Sequence, residues 1–221
     1  MTIRTRHACF AALLFMSSMA GATTRSWSLR LEAGTSQYSR DTFASYAGIH
    51  YTELSLDDGH ALAIAAEYRP TTLLGVELSL GSVELDARWR EVEIRPISFN
   101  PPVLQEVTVD SDSGDFVLRP ITLGLLVHPL RGERIDFYVG PQLGRTSFHI
   151  DLHGPPSRDP EWTLGGKAGV EVRIAESPWS AGLAYRYLET QHDGQEHDQY
   201  TGLSIHLLSV VLSYGKAPRG D

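Results

Sequence analysis

The chain has 221 residues with 19 basic and 27 acidic side chains, a net charge of −8 and a negative mean hydropathy. That length suits one domain or a single barrel, no apolar run is long enough for a spanning helix, and the acidic balance argues against nucleic acid as a partner. The single cysteine, Cys9, lies in the N-terminal segment, so beyond it no thiol is available for disulfide, thiolate-metal or cysteine-nucleophile chemistry.

The first residues read as an export signal. Arg4, Arg6 and His7 precede the apolar run 8–16, and Ala20-Gly21-Ala22 supplies the small residues that a signal peptidase reads. The expectation is a cleaved signal peptide over residues 1–22 and a barrel domain over 23–221, with the wall between residues 27 and 215. Loss of Arg4 and Arg6 takes the net charge from −8 to −10.

From Trp27 onward apolar residues recur at every second position, the period of a β-strand. Trp27, Leu29, Leu31 and Ala33 oppose Ser28, Arg30 and Glu32 in the first candidate strand, 27–34. The second, 60–69, sets Leu62, Ile64, Ala66 and Tyr68 against small residues and Glu67, and ends at the turn Pro70-Thr71-Thr72. The third, 73–86, opposes Leu74, Val76, Leu78 and Leu80 to Gly75, Glu77, Ser79 and Gly81. It enters an acidic, proline-bearing segment, 87–114, in which 103–109 alternates again, so the wall is expected to continue there as a hairpin above the membrane. The fourth, 115–128, carries Ile121, Leu123, Leu125 and Val127, and Pro120 predicts a bulge or bend because proline costs a ladder hydrogen bond. In the fifth, 134–148, Ile135, Phe137, Val139, Pro141 and Leu143 oppose Asp136, Tyr138, Gly140, Gln142 and Gly144.

The clearest hairpin follows. Trp162, Leu164, Gly166, Ala168, Val170 and Val172 share one face, and Thr163, Gly165, Lys167, Gly169, Glu171 and Arg173 the other. After the turn 175–178, Trp179, Ala181, Leu183, Tyr185 and Tyr187 alternate with Ser180, Gly182, Ala184 and Arg186. The last strand, 201–215, has Leu207, Leu208, Val210, Val211 and Leu212 on both parities, which leaves its register open.

A soluble sandwich would show the same alternation. The connections favour lipid: long segments (35–58, 87–114, 149–160, 190–200) follow odd-numbered strands and short turns follow even-numbered ones. This pattern predicts an all-β fold, an eight-stranded antiparallel up-and-down transmembrane β-barrel in the outer membrane of a Gram-negative bacterium. Closure avoids an unpaired edge in lipid. On this register Arg30, Glu32, Glu67, Glu77, Lys167, Glu171, Arg173 and Arg186 face the lumen. Such a narrow interior is filled by side chains, so these charges either pair as a plug or line a polar conduit. Trp27, Tyr68, Trp162, Trp179, Tyr187 and Tyr214 are placed in the interfacial girdles.

In residues 62–80 with their tight turn, in the run Arg134-Ile135-Asp136-Phe137-Tyr138-Val139-Gly140-Pro141-Gln142-Leu143-Gly144, and in 162–187, the sequence resembles the OmpW family of small outer-membrane proteins. The resemblance implies an eight-stranded barrel. For some members it also implies passage of small hydrophobic compounds from the cell surface through a narrow lumen with a lateral exit. Its implied partners are outer-membrane lipid, lipopolysaccharide, such solutes and the barrel-assembly machinery. One departure is plain: members usually end on an aromatic, whereas here Tyr214-Gly215-Lys216 is followed by 217–221.

Signals for chemistry are sparse. His149, Asp151 and His153 would share one face of an extended segment, and His192-Asp193 with Glu196-His197-Asp198 form a similar loop cluster. Both read as solvated loops, or as contacts to lipopolysaccharide through bridging cations, and no metal or cofactor is expected. A lipid A-modifying enzyme would need a serine, a base and an acid together. His206 and Ser209 fall on opposite faces, while Ser147 and His149 share one with no acid fixed nearby. Gly165-Gly166 precedes no helix and so matches no phosphate loop. The expectation is therefore no enzyme but a narrow channel or uptake port for small hydrophobic molecules. The alternative is a structural or surface-interaction barrel with a plugged lumen whose loops contact lipopolysaccharide.

Overall fold

The computed structural model describes residues 26–38, 43–47, 50–99, 102–129, 134–150, 160–191 and 203–215. The expected signal, the loop residues Asp151, His153, His192, Asp193, Glu196, His197 and Asp198, and Lys216 lie outside them.

The strands are β1 Ser26–Tyr38, β2 Phe43–Ala47, β3 His50–Arg69, β4 Leu74–Phe99, β5 Pro102–Val127, β6 Ile135–Ile150, β7 Glu161–Arg173, β8 Trp179–Gln191 and β9 Leu203–Gly215. β2 is a short addition to the outer end of β3, paired from Phe43↔Leu54 to Ala47↔His50. The other eight form a ring of antiparallel neighbours, closed because β1 pairs with both β9 and β3. Every wall strand thus has two hydrogen-bonded neighbours, as a lipid environment demands.

A tilted strand crosses the hydrocarbon in about 9–11 residues. The 13 residues of β1, β7, β8 and β9 suffice, whereas β4 and β5 have 26 each and stay paired out to Phe99↔Pro102. Much of what the sequence suggests as loop in 35–58 and 87–114 is therefore wall that rises past the membrane. Its ladder shifts register between Leu56 and Gly59, Glu91 and Val92, and Pro96 and Ser98.

Pro120 causes no bulge. Leu80↔Ile121 and Val83↔Leu118 keep one register across it. Gly81 lies opposite, and a Cβ there would sit 3.1 Å from the Pro120 Cγ, so the glycine makes room for the ring. The short turns lie at the other end. Thr71 Oγ1 accepts from the Leu74 amide at 3.0 Å, and the Leu73 carbonyl accepts from the His128 amide at 2.8 Å. In the β7–β8 turn Ala175 adopts φ 51°, a left-handed conformation that costs a non-glycine residue about 1–2 kcal/mol. Ser177 closes the turn, donating from its hydroxyl to the Ile174 carbonyl at 2.5 Å.

Outward positions are apolar and exposed, among them Leu31, Ile64, Leu80, Leu123, Leu143, Leu164 and Leu183. The register of β9 is settled by Leu31↔Leu212 and Leu183↔Val210. Leu208, Val210, Leu212 and Tyr214 look outward, and Leu203, Ile205, Leu207 and Val211 inward. Four aromatics gather at the short-turn end: Trp27 pairs with Tyr68, and the Tyr214 ring lies 6.2 Å from Trp27 and 4.9 Å from Trp179. Trp162 and Tyr187 are near the opposite end of the wall, paired with Arg145 and His206.

Candidate functional site

The lumen has two tiers. The tier nearer the short turns is ionic, and seven of the eight wall strands supply it, with His128 just past the end of the eighth. Arg30 on β1 is its hub: its guanidinium lies 2.7 Å from Glu67 on β3, 3.1 Å from Glu77 on β4 and 2.5 Å from Glu171 on β7. Lys167 on β7 reaches Glu77 at 2.8 Å and also contacts Glu32 on β1. Arg186 on β8 holds Glu32 at 2.9 Å and donates to the Ser79 hydroxyl at 3.0 Å. Ser213 on β9 donates to Glu171 at 2.5 Å, and Gln142 on β6 donates to Glu77 at 3.1 Å. The Tyr138 ring lies beneath the Arg30 guanidinium, 4.6 Å from it, and over Gly169, where a Cβ would come within 2.4 Å of the ring.

At the inner mouth Arg69 bridges Glu67 at 2.9 Å and Asp136 at 2.7 Å. His128, the residue just past β5, lies between the same two carboxylates, with Nε2 2.7 Å from Glu67 and Nδ1 2.8 Å from Asp136. Ionised carboxylates only accept, so with both of them ionised the two ring nitrogens donate and the His128 ring carries the compensating positive charge. This also balances the cluster: Glu32, Glu67, Glu77, Glu171 and Asp136 face Arg30, Arg69, Lys167, Arg186 and His128. Buried ion pairs add little net stability, but an unpartnered member is costly. The tier therefore holds together as one charge-balanced floor beneath the outer lumen.

Arg30, Glu32, Glu67, Glu77, Lys167, Glu171 and Arg186 are all nearly inaccessible and joined in this one network. Arg173, half-buried on the same face of β7, makes none of these contacts; its backbone amide donates to the Arg134 carbonyl at 2.8 Å. Arg69, His128, Asp136, Tyr138, Gln142, Ser79 and Ser213 were not among the expected site residues. Strand parity could have found Arg69 beside Glu67 and Asp136 beside Tyr138. His128 was hidden, because the inward positions before it are Pro120, Thr122, Gly124 and Leu126, with no charge among them.

The outer tier departs from the expected polar interior. Val83, Leu85, Phe116, Leu118, Phe148, Leu188, Leu203, Ile205 and Leu207 face inward and form one buried apolar cluster, with the Phe116 and Phe148 rings 5.9 Å apart. Beside it Thr146, Thr163 and Thr190 form a buried hydroxyl ladder, 2.6 Å and 3.3 Å apart.

Hydrolytic geometry is not assembled among the described residues. His206 faces outward with Nδ1 2.5 Å from the Tyr185 hydroxyl, while Ser209 is buried inside. Ser147 and His149 share the outer face of β6, opposite Arg119 and Val117. No described group of His, Cys, Asp or Glu is arranged to hold a metal ion.

A closed antiparallel ring, apolar toward its surroundings and ionic at its inner core, defines an outer-membrane β-barrel. The chain belongs to the outer membrane protein beta-barrel domain family, whose model matches residues 8–215. Among solved structures it is similar to neisserial surface protein A (TM-score 0.50, 14% identity, covering 86% of this chain and 95% of that one). OprG of Pseudomonas aeruginosa gives a TM-score of 0.50 and 14% identity, over 86% of this chain and 96% of that one. The outer membrane protein AlkL gives 0.48 and 18% identity, over 92% and 96%. At such identities the likeness concerns the fold alone. No curated protein matches the sequence.

Proposed function

We propose that this barrel is an uptake port for small hydrophobic molecules that enter from the outer face, with no chemistry of its own. The carrying observation is the outer tier: outer-membrane barrels normally have polar interiors, yet here inward side chains from β3, β4, β5, β6, β8 and β9 are apolar. An apolar solute can exchange with such a lining, whereas an ion must break the floor below it. The floor also denies a straight path, so the solute leaves sideways through the wall into lipid, as the resemblance to the OmpW family implies. Export by residues 1–22 and insertion by the barrel-assembly machinery belong to the same reading.

The test is uptake of a labelled medium-chain alkane by cells with and without the barrel, together with planar-bilayer conductance. Uptake that depends on the barrel, falls several-fold in Leu118→Glu and accompanies a silent bilayer supports the port. Uptake indifferent to the barrel ends it.

A surface-interaction barrel is the second reading, and a specific feature favours it. The raised β3–β5 sheet has a cleft of about 500 Å³ lined by Glu53, Arg88, Trp89, Arg90, Asp112 and three serines. With hydroxyls, an indole and arginines already paired to Asp57 and Glu53, such a cleft suits an uncharged sugar.

A further inference from the structure

The lipid-facing wall of β5 and β6 has an abrupt polar limit. On β5 the outward run Val127, Leu125, Leu123, Ile121 ends at Arg119, and on β6 the run Phe137, Val139, Pro141, Leu143 ends at Arg145. Both arginines are exposed and stand at the first polar outward positions above the apolar band, the level of the outer leaflet's headgroups. The register pairs Arg119 with Ser147, Ile121 with Arg145 and Val117 with His149. Arg145 and His149 are therefore the diagonal neighbours of Arg119, about 7–8 Å away.

Neither arginine pairs with a carboxylate among the described residues. Arg145 is held instead by the Pro160 carbonyl at 2.5 Å and by the Trp162 ring, 5.6 Å from its guanidinium. This is unusual in a chain whose acids outnumber its bases, and the arginines of the raised sheet do otherwise: Arg88 holds Asp57, Arg90 holds Glu53 and Arg95 holds Glu93. The nearest acid by register is Glu84, opposite Val117 on β4 and without an ion pair to Arg119. Two like charges placed side by side call for an anion between them, and a guanidinium matches the paired oxygens of a phosphate.

We infer that Arg119 and Arg145 form a docking site for a headgroup phosphate of an outer-leaflet glycolipid, with Ser147 and His149 beside it and Trp162 fixing Arg145. The site lies on the outer wall and is independent of the uptake reading. It is tested by native mass spectrometry of the full barrel with bis-phosphorylated lipid A, the same lipid after phosphatase treatment, and inorganic phosphate as competitor. The expected result is at least ten-fold better retention of the phosphorylated lipid, lost in Arg119→Gln/Arg145→Gln and kept in Arg95→Gln, which removes an exposed arginine of the raised sheet outside the cleft. Heat-modifiable gel migration verifies that each variant is folded, and the comparison of the two lipids on the unsubstituted barrel needs no variant. Equal retention of both lipids, an undiminished preference in the Arg119/Arg145 variant, or binding of inorganic phosphate with no lipid preference would overturn the proposal.

Discussion

Replacing Arg30 by methionine tests the charge balance of the floor most directly. Methionine replaces the apolar stem but not the guanidinium, so three buried carboxylates lose their common partner. Their losses differ. Glu67 retains Arg69 and His128, and Glu77 retains Lys167 and Gln142. Among the described residues Glu171 retains only the Ser213 hydroxyl. One carboxylate, not three, is left without a cation, and one uncompensated buried charge costs about 3–5 kcal/mol. Urea unfolding of the barrel from vesicles, followed by the fluorescence of Trp27 and Trp179 in the inner girdle, measures the loss. Glu171→Gln in the Arg30→Met background removes the orphaned charge and is expected to recover about 1–3 kcal/mol, read as the coupling term of a double-mutant cycle. A variant within about 1 kcal/mol of the parent, or a cycle with no coupling, would refute the floor as a charge-balanced unit.

Other parts of the wall give further tests. Gly169→Ala places a methyl group 2.4 Å from the Tyr138 ring, and the displaced ring is expected to cost about 1–3 kcal/mol, relieved when Tyr138→Leu is added. Ala175→Gly frees the left-handed turn position and is expected to stabilise by about 1 kcal/mol in the same urea assay, with no change in bilayer conductance. In the raised sheet beyond the membrane, partial desolvation and then a hydrogen bond with Glu106 push the Tyr51 phenol above its ordinary range. The folded state thus favours the neutral phenol. Its contribution is complete below the unfolded phenol pKa of about 10 and fades as pH rises through the higher folded value. Hydrogen exchange in 51–54 and 104–108 should accelerate there, and Tyr51→Phe should abolish the pH step.

Period-two patterning reads the wall well because a strand has two faces and lipid accepts only one kind of side chain on the outer one. Leu62, Ile64, Leu78, Leu80, Leu123 and Leu183 reveal their direction without any neighbour. The same rule misleads inside. Parity says that Leu85, Leu118 and Leu188 face away from lipid, but not that they meet one another above a salt-bridged floor, because that depends on how strands distant in sequence are staggered around the ring.

The residues alone therefore determined the antiparallel barrel, its short and long ends and the inward side of Arg30, Glu67, Glu77 and Lys167, since each follows from local alternation and turn chemistry. Only the closed ring decided the rest. Arg30 meets Glu171 across 141 positions of sequence and Arg186 meets Glu32 across 154, pairings set by the stagger of all eight strands. The direction of β9 was decided in the same way. Leucines on both parities leave that strand without a preference of its own, and hydrogen bonding to β1 on one side and β8 on the other imposes one.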